Sequence, residues 1–167
     1  MEDNSIYIHE DFYKLIQVLP NNENFDIPES GIVEISDFQK FKNLSIDSKR
    51  INFNDIRKII EKYNPYAHEK VYMGYSTSYK IKENTIAYLF DGVAVFFEND
   101  TLCTIENIWL ATVAIASEIE AINLFSFFNY IGKVYDLILV DYETDYIVNL
   151  DNMEAIKKYF KEKFDLQ

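Results

Sequence analysis

The chain has 167 residues, a net charge of −12, 49% apolar residues and 16% aromatic residues. That length suits one domain, and thirteen Tyr with thirteen Phe supply enough apolar surface to exclude a mostly disordered chain. The lone cysteine, Cys103, excludes an internal disulfide. Residues 1–11 are acidic rather than basic and apolar, and the longest near-apolar run, 108–116, is too short to cross a bilayer, so the expectation is a cytoplasmic protein with no membrane partner.

Taken in chain order, Phe12, Leu15, Ile16 and Leu19 stand at i, i+3, i+4 and i+7, which predicts a helix stopped by Pro20. Residues 20–31 collect Asn21, Asn22, Asn24, Pro28 and Gly31 and read as a loop. Ile56, Ile59, Ile60 and Tyr63 predict a second helix, capped by Asn52 or Asn54 and stopped by Asn64 and Pro65.

The middle of the chain changes period. Residues 71–82 alternate, with Val71, Met73, Tyr75, Thr77, Tyr79 and Ile81 on one face, which predicts one half-buried strand. Residues 85–90 and 93–98 flank Asp91-Gly92, a pair suited to the positive φ angles of a type I′ hairpin turn. Asn99-Asp100 and Glu106-Asn107 suggest further turns, with strands at 101–105 and 108–116.

Ser117 and Glu120 have the spacing of a capping box, opening a helix with Leu124, Phe127, Phe128 and Ile131 on one stripe and Gly132 at its end. That helix is apolar nearly all round and is expected to be deeply buried. Residues 134–142 read as a strand, and Asp151 and Glu154 open a last helix carrying Met153, Ile156, Phe160 and Phe164. A competing reading makes 107–131 one long helix, which the β-branched Thr112, Val113 and Ile115 oppose. The expected fold class is α+β: a mainly antiparallel meander with helices packed on it, in a single domain over 1–167.

Little in the chain points to catalysis. His9 falls in an N-terminal segment expected to fray and His68 in a loop, and neither sits in a nucleophile motif. Cys103 reads as a small buried hydrophobe within a strand. No C-x-x-C, H-E-x-x-H, G-x-G-x-x-G or P-loop pattern occurs, so no metal, cofactor or catalytic residue is assigned and the chain is not expected to be an enzyme. A carboxylate-dependent hydrolase is the surviving enzymatic alternative.

Charge is distributed unevenly. Between Lys82 and Lys157 the one cation is Lys133, against thirteen acids that run from Glu83 to Glu154. Such a field repels nucleic acid and attracts basic proteins. Asp141, Glu143 and Asp145 alternate and could share one face of an extended segment; with Tyr142 and Tyr146 between and beside them they form the candidate partner-binding patch. Measured from Asp141 the spacing fails the EF-hand template, with Tyr146 in place of Gly and Asn152 in place of Glu.

The uncompensated acids from Asp91 to Asp151 and the missing catalytic set resemble, in type, the immunity proteins of bacterial toxin systems such as contact-dependent inhibition. No motif of those proteins is matched, so the resemblance assigns no residues. It implies a cognate toxin domain, a nuclease for instance, as basic partner. An acidic anti-defence protein of a phage, mimicking nucleic acid, would share these features.

Overall fold

The computed structural model describes residues 4–21, 25–115 and 117–166. Residues 22–24 of the expected loop and Ala116 at the end of the expected strand 108–116 lie outside the described residues. The fold is α+β and mainly antiparallel, with eleven strands and three α-helices among the described residues. In chain order the strands are β1 (Ser5–His9), β2 (Ile16–Pro20), β3 (Ile32–Glu34), β4 (Ala67–His68), β5 (Lys70–Tyr75), β6 (Ser78–Ile81), β7 (Thr85–Phe90), β8 (Val93–Asn99), β9 (Ile105–Thr112), β10 (Leu137–Asp141) and β11 (Tyr146–Asn149). The helices are α1 (Phe53–Ile60), α2 (Ala121–Tyr135) and α3 (Met153–Phe164).

Eight strands form the main sheet in the order β3-β11-β10-β2-β9-β8-β7-β4, each pair antiparallel. β7, β8 and β9 are the expected meander. The turn between β7 and β8 has Asp91 at φ 42° and Gly92 at φ 84°, the two positive angles that a type I′ turn requires. β2 lies between β9 and β10 and joins two sets of strands into one sheet.

Both faces of this sheet are covered. On one, Tyr88, Phe90, Val95, Phe97, Ile108, Leu110, Val18 and Leu139 meet the apolar sides of α1, α2 and α3. On the other, Ala87, Leu89, Ala94, Phe96 and Trp109 lie beneath a second sheet of order β1-β5-β6, in which β1 runs parallel to β5. The rest of that face, Leu19, Ile138, Val140 and Ile147, is covered by Phe25, Ile27, Phe41 and Leu44 from the loop-rich stretch before α1. Phe96 and Trp109 face each other across β8 and β9 with rings stacked 3.9 Å apart.

Several expectations are corrected. The stripe from Phe12 to Leu19 is no helix: a short 3-10 turn, Glu10–Phe12, is followed by Lys14 at φ 58° and then by β2. A central strand buried on both faces shows a continuous apolar run, and here it mimics a helical period. Residues 71–82 are a hairpin, β5 and β6, turned at Ser76 with φ 56°, so Tyr79 and Ile81 share the outer face with Tyr72 instead of the inner face with Val71. Residues 101–103 are a turn and Glu106-Asn107 lies inside β9. Cys103 is exposed, at φ 63° in that turn.

Ser117 does not cap α2: Glu120 is its N-cap, without a side-chain cap, and the Ser117 hydroxyl donates to the carbonyl of Leu89. α2 is not buried all round, since Ile122, Tyr130 and Val134 are exposed. Gly132 does not end the helix, which runs to Tyr135; a Cβ there would stand 2.4 Å from the backbone of Leu150. The long helix over 107–131 is excluded by β9. Asn52 does cap α1, accepting from the Asn54 amide at 2.7 Å, and Asn152 caps α3.

Candidate partner-binding surface

The antiparallel registers bring distant acids to one end of the main sheet. That end carries the β7–β8 turn with Asp91, the end of β9, the start of β2, the β10–β11 loop and Glu34 at the end of β3. The residues after β9 add Glu118 and Glu120. Asp91, Glu118 and Glu120 are exposed and line an open cavity of about 420 Å³ together with Ile119 and Ile122.

The β10–β11 loop holds the candidate patch, and its five residues do not share one face. Asp141 is fully buried. One of its carboxylate oxygens accepts the backbone amides of Glu143 and Thr144, at 2.9 and 3.1 Å. The other accepts the Tyr159 hydroxyl at 2.7 Å and faces the Lys163 ammonium at 3.4 Å. Burial alone would push this carboxyl up; the hydrogen bonds from Tyr159 and Thr144, with Lys163, outweigh it and hold Asp141 below the usual carboxylate range. The same burial, with the Asp141 charge, pushes the Tyr159 phenol well up.

Tyr142 also turns inward: its ring meets Phe41 edge-on at 5.8 Å and burial raises its phenol. Glu143, Asp145 and Tyr146 face solvent. Lys163 binds Glu143 at 3.0 Å. Asp145 takes φ 62°, which lets the loop close in so few residues, and its carbonyl accepts the amide of Ile35 at 2.8 Å. The exposed residues of the loop are therefore Glu143, Asp145 and Tyr146; Asp91, Glu118 and Glu120 stand farther along the same end of the sheet, beyond β2 and β9, and the spacing in the loop does not reveal them. The loop exposes three of these five residues of the candidate patch. The other acids meet it only through the sheet order.

Two smaller cavities flank Lys163. One, of about 250 Å³, lies among Phe12, Leu15, Ile16, Leu110, Phe164 and Glu143. The other, of about 150 Å³, is lined by Thr144, Tyr146, Tyr159 and Glu162.

Neither histidine is where the sequence suggests. His9 is held in β1, its Nδ1 accepting the Asp11 amide at 3.1 Å between the rings of Phe12 and Tyr75. His68 is in β4, and burial lowers its pKa. Among the described residues no group of three or more His, Cys, Asp or Glu side chains is arranged to hold a metal ion, and no helix is long and apolar enough to cross a membrane. Compared with known proteins, the chain matches no family model, no curated sequence and no solved structure.

Proposed function

We propose that this chain is an inhibitor that binds and blocks a basic protein, in the manner of the immunity proteins that protect a bacterial cytoplasm from a cognate toxin domain. The observation that carries the reading is the acidic end of the main sheet. There Asp91, Glu118, Glu120, Glu143 and Asp145 are all exposed, and the nearby Lys163 is spent on Asp141 and Glu143. Exposed like charges gathered at one end of the sheet repel one another, and a basic partner would offset that repulsion.

A nuclease domain would suit such a surface, because it must be basic to hold phosphates. The acidic end would then be steered onto the groove that substrate occupies. Charge would set the association rate, and side chains seated in cavities would set the residence time.

Co-expression tests the reading. A toxin domain encoded beside this chain should arrest growth alone and be tolerated when the chain is produced with it, and the two should co-purify. Rescue without a complex, or turnover of a small substrate by the purified chain, would overturn it.

A further inference from the structure

We infer that the partner docks through an apolar or aromatic side chain flanked by Lys or Arg, seated in the cavity between the start of β2, the end of β9 and the C-terminus of α3. This rests on the reading of the acidic end as the binding surface. The cavity, of about 250 Å³, has a floor of Ile16 and Leu110 and walls of Phe12, Leu15 and Phe164. Phe12 is 40% exposed on a 3-10 turn that ends at the cavity. Its apolar surface is left to water unless another apolar group covers it.

The rim has the opposite character. Glu143 stands at the mouth beside Lys163, and Asp145 and Glu162 are exposed on the adjoining surface. Lys163 is only 14% exposed and lies between Asp141 and Glu143, so it presents little positive charge outward. An apolar floor beside the exposed carboxylates of Glu143, Asp145 and Glu162 selects a matching shape: an apolar anchor with cations next to it. An acidic segment would meet Glu143 and Glu162, and a polar one would leave the floor uncovered. Interfaces concentrate their energy in such anchors, while the charged rim excludes wrong partners.

The probes are three short peptides: a phenylalanine between two pairs of lysines, a serine in the same setting, and a phenylalanine between two pairs of glutamates. Binding to the full chain is followed by methyl NMR of Leu15, Ile16 and Leu110. The lysine–phenylalanine peptide should bind roughly tenfold or more tighter than the serine peptide, as expected for burial of a phenyl ring, and should move those methyl signals by ring current. Thr112 is exposed at the end of β9 and lines the cavity; Thr112→Trp should fill it, abolishing the preference for phenylalanine while the serine peptide still binds.

If the two lysine peptides bind alike and leave the methyl signals unmoved, the anchor cavity is wrong and the acidic surface stands. If neither binds, both fall. If the glutamate peptide binds as well as its lysine counterpart, the rim does not select charge and the inferred partner class is wrong. Signals that shift with protein concentration alone would show a second copy as the occupant, which also overturns the inference.

Discussion

The hydroxyl of Tyr159 donates to Asp141 across 2.7 Å, linking the last turns of α3 to the final residue of β10. A second cluster repeats the chemistry across the fold. The Tyr13 hydroxyl meets both oxygens of Glu98, at 3.0 and 3.1 Å, and Lys82 bridges the same carboxylate. In each case a buried carboxylate is held by a phenol and an ammonium, the arrangement that makes such burial tolerable. One cluster ties α3 to the sheet. The other ties the segment before β2 to the residues that follow β6.

Removing the Asp141 carboxylate should therefore cost more than any surface acid. Asp141→Ala leaves Tyr159 without an acceptor and Lys163 without its buried partner, for a loss of about 3–5 kcal/mol. Tyr159→Phe removes one hydrogen bond and should cost about 1–3 kcal/mol. Urea unfolding of the two variants checks the order. Equal midpoints for wild type and Asp141→Ala would show the cluster to be energetically idle.

The same cluster predicts a pH dependence. Asp141 is held below its ordinary value in the folded state, so protons bind more tightly to the unfolded chain. Its contribution is present above the unfolded carboxylate value of about 4 and is lost as pH falls through the lower folded value. The difference in urea midpoint between wild type and Asp141→Asn should be constant near neutrality and shrink below about pH 4. A difference that grows on acidification would contradict the sign.

Local signals in the sequence located much of this fold. Asp91-Gly92 marked its hairpin because two positive φ angles admit few residue pairs. Asn52 marked a helix start because its side chain satisfies a free amide. What failed were segments buried on both sides. Ile16, Val18 and Leu19 point to different cores on opposite faces of β2, so no alternation survives and the spacing reads as helical. The hairpin of β5 and β6 was invisible because Ser76-Thr77 lacks Gly, Asn or Asp. For the candidate surface, the loop composition marks a cluster of acids and tyrosines, but which of them are exposed depends on long-range partners. Asp141 reads like Glu143 until Tyr159 and Lys163 are placed beside it.

Gly132 illustrates a residue whose role is set by packing. It lies within α2 where the helix crosses Leu150, in the turn between β11 and α3, and an added Cβ would fall 2.4 Å from the Leu150 carbonyl carbon and oxygen. Ala is the better helix former by roughly 1 kcal/mol, so helix propensity alone predicts that Gly132→Ala stabilises. The close approach predicts the reverse, because backbone cannot yield as a flexible side chain does; a loss of about 1–3 kcal/mol is expected, in the range of overpacked cores. Thermal unfolding decides between the two.

Cys103 lies exposed in the turn before β9, so its thiol should react stoichiometrically with an aromatic disulfide reagent in the native protein, without waiting for unfolding. Cys103→Ser should leave the free energy of unfolding within about 0.5 kcal/mol of wild type, as for other exposed positions. A thiol protected until denaturant is added would contradict the exposed placement.

The acidic end can be separated from net charge by placing equal changes at opposite ends of the sheet. Glu118→Lys with Glu120→Lys alters the exposed acids beside Asp91. Glu106→Lys with Asp151→Lys makes the same charge change at exposed positions near the other strand ends. Asp141 is unsuitable for such a test, because a lysine there would bury a second ammonium against Lys163. If only total charge matters, both double variants slow association with a basic partner equally. If the partner lands on the acidic end, the first pair should slow association about tenfold more than the second at low salt, since steering depends on charge close to the contact. The gap should narrow as added salt shortens the screening length from about 30 Å at 0.01 M to about 8 Å at 0.15 M. Stopped-flow association with the co-purifying partner measures both effects. Equal rates for the two variants in low salt would move the binding surface elsewhere on the molecule.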